Sequence, residues 1–556
     1  MSKPLISNIS APDLEVHNPF RPRPEAAKRR VCLIHPPLLT SPDAYALDGI
    51  PPLGLAYVAA ALNSAGHQVS VIDGVGEALQ QYGRAPGFPG FLVRGLSSAT
   101  VIESMDPRAD VIGISNMFSN QWLFVRDLIR QIRQKFPQQL IVLGGEHVTA
   151  CAEYIIESCP DVDICVLGEG EETMLDLVDA YTQQRDFQSV PGIVFRRGSR
   201  AVRTANRERI RAIDDIPAPA WNLVPIEKYI DAACTYGFNL GRSIPLLASR
   251  GCPFQCTFCS NVQMWGTRWS ARKPELVVAE MEQYIERYKV TNFDFYDLTA
   301  IVKKEWIVEF SKLLINKGLN ITWQLPSGTR SEALDAEVMP LLYNSGCRFI
   351  IYAPESGSVE ELRRIKKKIV PSRMIDSIHM AHRAGIQTKA NLIFGMVGAT
   401  WKDVFHTYVF LVRMAVAGMV DIGAFPFSPY PGSEDFQTLV ASGRLRLDDD
   451  YFKCLLDMAM GFYSKNTVSY NDRFSSRAIA GICSGAFFIF YSVSYLIRPW
   501  RLINIIRSRV KHETSSLLTF KLAYLQRKKA VAKLIATNQS DTVLVPQELQ
   551  VRNKTN

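Results

Sequence analysis

The sequence predicts an α/β protein made of two units in series: a doubly wound parallel sheet over residues 30–190 and a partial (β/α)6 barrel over 246–440. Three observations carry this. Short apolar runs alternate with amphipathic helical patterns from residue 30 onward, as a parallel sheet with right-handed crossovers requires. The alternation lapses at 191 and restarts at 246. The composition, 47% hydrophobic and 21% charged over 556 residues, is that of globular material with room for several domains.

Residues 1–29 are polar, contain prolines and have no apolar stretch. They predict a disordered leader, no secretory signal and a cytoplasmic, thiol-reducing location. VCLIHPP (31–37) is a buried-strand run, and LGLAYVAAALNSAG (53–66) has a helical period that stops at Gly66. HQVSVIDG (67–74) and DVIGISN (110–116) are strands; NQWLFVRDLIRQIRQKFP (120–137) is an amphipathic helix closed by Pro137. LIVLGGEH (140–147) runs from strand into a glycine turn, and DICVLGEGEETMLDLVDAY (163–181) is strand, turn and helix. Ligands on such Rossmann-like sheets sit outside the carboxyl ends of the strands. That edge would hold the turns at Pro36-Pro37, Ser115-Asn116, Gly144-Gly145 and Gly168-Gly170. Residues 83–108 interrupt the pattern and read as an insertion covering that edge. Residues 191–245 read as a connector.

The second unit predicts strands in LLASRGC, NFDFYD, ITWQLPSGTR, FIIYAPESG, TKANLIFG and DIGAFPFSP, separated by helices at 274–288, 304–317, 335–345, 372–384 and 401–418. About six βα units make a partial TIM-type barrel. A helical region follows over 441–535 and a flexible tail over 536–556. Residues 478–497 hold no charge for twenty positions, the length of a membrane span, but two Gly, three Ser and two Tyr dilute them. They read as a buried helix of a C-terminal subdomain. The basic amphipathic stretch after it would lie on an anionic membrane surface or cap the core.

Charge and cysteine content exclude two classes. Residues 473–556 hold 14 Lys/Arg against 3 Asp/Glu, while the chain's net charge is +9, so the body is close to neutral and no basic surface for nucleic acid spreads over it. Eleven cysteines are too few for a disulfide scaffold. Three of them fall in Ser249-Arg-Gly-Cys252-Pro-Phe-Gln-Cys256-Thr-Phe-Cys259-Ser, in one loop after a strand. Three thiolates can hold three irons of a [4Fe–4S] cluster and leave the fourth iron open. The rival is zinc, which in structural sites takes four ligands, and no fourth Cys or His lies nearby.

Cys252, Cys256, Phe258 and Cys259 resemble the C-x3-C-x-aromatic-C hallmark of the radical S-adenosylmethionine (SAM) superfamily. The resemblance implies that SAM binds the open iron. One electron then breaks its sulfonium to a 5′-deoxyadenosyl radical that abstracts hydrogen from unactivated C–H bonds. It implies an electron donor such as flavodoxin or ferredoxin. It also implies SAM contacts from Phe258, Asp297, Arg330, Glu355, Ser356, Asn391 and Gly395, with Pro429-Tyr-Pro431-Gly432-Ser433 as the sixth-strand turn. The first unit resembles the cobalamin-binding domain of B12-dependent members, through Pro51-Pro52-Leu53-Gly54, Ile114-Ser115, Gly144-Gly145-Glu146-His147 and Gly168-Glu169-Gly170. Cobalamin contacts are then expected from Pro52, Leu53, Gly54, Ser115, Asn116, Gly144, Gly145, His147, Gly168 and Glu169. No histidine has the D-x-H-x-x-G setting of a lower cobalt ligand. The whole resembles cobalamin-dependent C-methyltransferases acting on a hydrophobic or natural-product substrate. The alternatives are an oxidative cyclase or rearrangement enzyme like the anaerobic Mg-protoporphyrin ester cyclase, and a non-catalytic cobalamin sensor. A methylthiotransferase would need a second cluster site that Cys32, Cys151, Cys159 and Cys165 do not form by spacing.

Overall fold

The computed structural model describes residues 28–41, 49–234, 236–460 and 467–503, with Phe20 and a few positions between 526 and 544. In the first unit, β1 (Arg30–His35) lies one strand in from an edge of the sheet and is followed directly by β2 (Leu38–Thr40). β3 (Gln68–Asp73) pairs in parallel with β1 after the helix Leu53–Ser64. β4 (Gln81–Arg84) and β5 (Leu92–Arg94) form a hairpin; β6 (Val111–Ser115), β7 (Leu140–Gly144) and β8 (Ile164–Val166) continue the parallel sheet. β9 (Ile193–Arg197) and β10 (Arg200–Arg203) close it in antiparallel fashion, giving the order β10-β9-β8-β7-β6-β1-β3 over seven strands.

The near-continuous apolar runs follow from burial on both faces. Cys32 and Ile34 of β1 belong to one core cluster, with Ile112, Ile114, Ile141 and Leu143; Val31 and Leu33 belong to another, with Val111 and Val142. The strand order reverses between β1 and β6, so the crevice of this sheet opens at their carboxyl ends.

The second unit begins with β11 (Ser243–Leu246), then a short antiparallel ladder of β12 (Ser249–Arg250) and β13 (Ser270–Ala271). β14 (Asn292–Phe295), β15 (Thr322–Thr329), β16 (Cys347–Glu355), β17 (Gln387–Phe394) and β18 (Asp421–Pro426) follow. With β11 they make a six-stranded, all-parallel sheet in sequential order. The helices Pro274–Tyr288, Lys304–Lys317, Val338–Asn344, Pro371–Ala384 and Trp401–Ala417 cover its outside. The third starts at 338 rather than 335 because Asp335 accepts hydrogen bonds from the Glu337 and Val338 amides and so stands before the first turn.

Several expectations change. The connector is not separate, since β9 and β10 extend the first sheet beyond residue 190. The expected insertion over 83–108 carries regular structure: part of β4 and all of β5 join β2 and β19 (Thr542–Leu544) in a small four-stranded sheet, and the helix Ser98–Glu103 leads toward β6. β19 places three residues of the expected flexible tail in a ladder with β4. Phe20, within the expected leader, is buried in a core cluster of the first sheet; the rest of 1–27 and most of 504–556 lie outside the described residues. The apolar stretch becomes the helix Ser476–Ile497, but it is only half-buried. Ile479, Ile482, Cys483, Ala486 and Phe490 pack on the barrel while its other side faces outward. It is long and apolar enough to cross a membrane by length and composition, yet its inner face is bonded to the barrel through Tyr408, whose hydroxyl donates to the Ile482 carbonyl at 2.7 Å.

Candidate functional site

The carboxyl edges of the two sheets face each other, and the cysteine loop lies between them. β12 and β13 pinch the loop closed at its base, and Gly251 (φ +84°) is needed there because a Cβ would overlap the Arg268 carbonyl oxygen. Cys252, Cys256 and Cys259 are half-buried and all eleven cysteines of the chain are free. The loop is held from the barrel side. The Thr299 hydroxyl lies 3.5 Å from the Cys252 sulfur, and the Thr257 amide donates to the Ile365 carbonyl at 3.1 Å.

The first unit holds both ends of the loop. Arg250, two residues before Cys252, donates to Glu169 at 3.0 Å and to Glu171 at 2.6 Å, and stacks on the Tyr57 ring at 4.9 Å. All three charged side chains are almost fully buried. Ser260, one residue after Cys259, donates to the Glu146 carboxylate. Gln263 and Met264 reach Thr149, whose hydroxyl also accepts from the Gly168 amide at 3.0 Å.

The donor set tests which metal fits. Among the described residues no three His, Cys, Asp or Glu side chains converge on one point. Three thiolates suit three corners of an iron–sulfur cube, whereas a closed zinc site needs a fourth ligand. Burial raises the Cys256 thiol, with the Lys367 ammonium opposing it, and pushes Cys259 up to about 12 against the Asn261 amide. Burial works against the Lys367 charge too, but Glu355 at 3.0 Å and Cys256 outweigh it, so its pKa rises.

Around the loop, Arg330 packs over the Phe254 ring at 3.5 Å and pairs with Glu332. Phe258 lies beneath Lys367 at 5.8 Å. Glu355 ends β16 with φ +64°, a strained conformation for a side-chain-bearing residue and one that clusters at functional sites. Asn391 on β17 and Tyr296 at the end of β14 each present a buried oxygen with no partner among the described residues, which suits a polar cofactor such as SAM. On the facing sheet, a Cβ at Gly54 or Gly144 would meet no described atom within 4 Å, which leaves room there for a ligand. Beside them stand the turn residues Pro52, Leu53 and Ser115, the last paired in register with Gly144. The buried Asn116 amide nitrogen also has no partner among the described residues. Gly145 (φ +126°) lets the chain pass against the Asn116 carbonyl, where a Cβ would collide.

Five expected contacts are placed elsewhere. His147 is buried between Trp122 and Phe452, donor or acceptor to Ser119 at 2.9 Å, with its pKa pulled down to about 3 by burial. It belongs to the core beneath the edge. The Glu169 carboxylate is spent on Arg250 and the Ile210 amide. Asp297 accepts from Ser249 and the Ala248 amide, buried and raised to about 6 by desolvation, so it braces the loop's entry. Ser356 donates to Glu361. Gly395 is covered by Ile479 of the helix Ser476–Ile497.

The sequence reading also passed over residues that the fold brings to these edges. Met117 and Phe118 are exposed just past β6. Tyr236 and Phe425 are about half-exposed, as is Tyr430 of the expected sixth-strand turn, and Tyr236 meets Tyr296 edge-on at 5.8 Å. Burial raises the Tyr236 and Tyr430 hydroxyls. Arg250 stood beside the motif and Lys367 inside a Lys366-Lys367-Lys368 run that reads as a solvated face.

Comparison with known proteins agrees with the two-part layout. The B12 binding domain family matches residues 45–178, and the Radical SAM superfamily matches 246–411. The chain belongs to the cobalamin-dependent radical SAM enzymes. Its cofactors are a [4Fe–4S] cluster, S-adenosyl-L-methionine and cobalamin. An uncharacterized methyltransferase of Pyrococcus horikoshii is 28% identical over 419 residues, covering 75% of this chain and 84% of that protein. The anaerobic magnesium-protoporphyrin IX monomethyl ester cyclase of Cereibacter sphaeroides is 27% identical over 417 residues, covering 74% of this chain and 63% of that protein. The solved structure of the cobalamin-dependent S-adenosylmethionine radical enzyme OxsB, with aqua-cobalamin and S-adenosylmethionine bound, shares the fold. Its TM-score is 0.65 over 94% of this chain and 74% of that one, at 14% identity.

Proposed function

We propose that this enzyme transfers a methyl group to an unactivated carbon of a hydrophobic small molecule. The observation that carries the reading is the clamp between the two sheet edges. The cysteine loop is fastened at Arg250 and Ser260 to the edge where Gly54 and Gly144 leave an open cradle, so two cofactors would meet over one cleft. Bound there, the cofactors supply reductive cleavage of SAM to a 5′-deoxyadenosyl radical and a methyl group for the substrate carbon.

The chain's own side chains bind and orient. Cys252, Cys256 and Cys259 hold the cluster, and Lys367 beside Cys256 offsets the thiolate charge that burial opposes. Arg330 and Glu355 offer a guanidinium and a carboxylate to the amino-acid end of SAM, and Asn391 offers its unpartnered oxygen. Tyr236, Tyr296, Phe425 and Tyr430 wall the cleft, an aromatic surface that favours an apolar substrate and keeps water from a radical. The electron would come from a one-electron carrier such as flavodoxin or ferredoxin. The basic C-terminal segment would make peripheral contact with a membrane.

The test is product analysis of the anaerobically reconstituted full chain with SAM, cobalamin and candidate isoprenoid, porphyrin and peptide substrates. Turnover should release 5′-deoxyadenosine and S-adenosylhomocysteine together. Deoxyadenosine without adenosylhomocysteine would instead assign a cyclisation or rearrangement, the reading favoured by the likeness to the porphyrin cyclase.

A further inference from the structure

Two helices on the outside of the barrel carry apolar side chains toward solvent. On Trp401–Ala417 the outward positions include Trp401, Phe405, Val409 and Val416, which share one face by their spacing; Trp401 is 60% and Phe405 64% exposed. Along Ser476–Ile497 and the turn beyond it, Phe488, Leu496, Trp500 and Ile503 point outward, Phe488 at 75% and Leu496 at 82% exposure.

The two helices lie side by side and run the same way. The Trp401 ring meets Phe474 edge-on at 4.9 Å, Tyr408 bonds the Ile482 carbonyl, and Arg498 donates to the Ala415 and Val416 carbonyls. Their inner faces are already committed to the barrel through Phe410, Leu411, Met414, Ile482, Ala486 and Phe490. The two outward stripes therefore form one patch, with a tryptophan near each end. Patches of this kind on a soluble surface mark an interaction site.

The charge around the patch selects the occupant. No acidic residue occurs between Asp472 and Glu513, whereas Arg473, Arg477, Arg498 and Arg501 border the patch; Arg413 lies on the same helix as Trp401, where Lys402 pairs with Glu360. The chain continues from Ile503 into residues 504–533, which contain eight Lys/Arg and one acid. A second copy of this face would set cation against cation. An apolar stripe edged by cations and anchored by tryptophan matches a helix lying in the headgroup plane of an anionic membrane.

We propose that this face seats the enzyme on an anionic lipid bilayer, with Phe405, Phe488, Leu496 and Trp500 in the headgroup–acyl boundary. The helix Ser476–Ile497 then lies on the membrane and does not cross it. The proposal deepens the membrane contact read from the basic tail and is independent of the methyl-transfer reading.

The test is sedimentation of the full-length protein with vesicles of phosphatidylcholine containing phosphatidylglycerol, and with vesicles of phosphatidylcholine alone. Binding is expected to the anionic vesicles, weakened by salt and absent from the neutral ones. Combining Phe488→Ser, Leu496→Ser and Trp500→Ser should lower partitioning by about tenfold or more, while the melting temperature stays put because the three side chains are exposed. Failure to bind anionic vesicles would overturn the proposal. So would equal binding by the variant, which would assign the contact to the basic tail alone. A wild-type dimer that the variant abolishes would assign the face to a second copy.

Discussion

At the scale of single residues the site is a balance between burial and compensating charge. Replacing Cys256 by Ala removes one of three donors, and the reconstituted protein should lose the cluster's visible absorbance together with deoxyadenosine formation. Gly144 tests the other cofactor. Because no described atom lies within contact distance of a Cβ there, Gly144→Ala should fold with an unchanged melting temperature yet bind less cobalamin, read by the absorbance of the cofactor retained after gel filtration. Glu361 is buried and raised from 4.5 to about 7, by desolvation against the Ser356 hydroxyl, with Asp403 raising it further. Between those two pH values the folded protein holds a proton the unfolded chain has released. The stability from this group is therefore full below about pH 4.5 and is lost as pH rises through about 7. Glu361→Gln should remove that loss, so its melting temperature at alkaline pH equals or exceeds wild type, by at most about 3 kcal/mol of stability.

Among elements, the helix Ser476–Ile497 shows how packing and exposure divide one apolar segment. Phe490→Ala empties a fully buried site against the barrel and should cost about 3–5 kcal/mol in denaturant unfolding. Phe488→Ser, two residues away on the exposed side, should stay within about 0.5 kcal/mol of wild type. Length and hydropathy of residues 478–497 were legible from the sequence, but the half-burial was not. An all-apolar helix has no polar face to announce which side meets the core. The strand hidden in the tail, β19, is a three-residue edge paired to β4. Nothing in three apolar-leaning residues separates such an edge from coil until its partner is known.

For the whole molecule, Arg250 couples the two sheets. Arg250→Met would leave Glu171 buried without its cation and Glu169 with Arg209 alone, and the loss of a buried partner is worth about 3–5 kcal/mol. Thermal unfolding should show the drop, and Arg250→Lys should restore it only in part, because a single ammonium replaces a guanidinium whose two nitrogens reach Glu169 and Glu171 separately. The sequence reading assigned Glu169 to cobalamin. Its Gly168-Glu169-Gly170 setting at a strand end is shared by ligand contacts and domain contacts alike, and only the approach of Arg250 separates them.

The sequence by itself determined the two-sheet layout, the strand-by-strand order of the barrel and the three cysteines, because period, glycine turns and motif spacing are local properties of the chain. Tertiary structure alone decided which acids are spent inside the protein, which glycines open onto space and which aromatic side chains stay exposed near the sheet edges. Those facts depend on what the second sheet and the covering helices bring from hundreds of residues away, and no local pattern records a neighbour that distant.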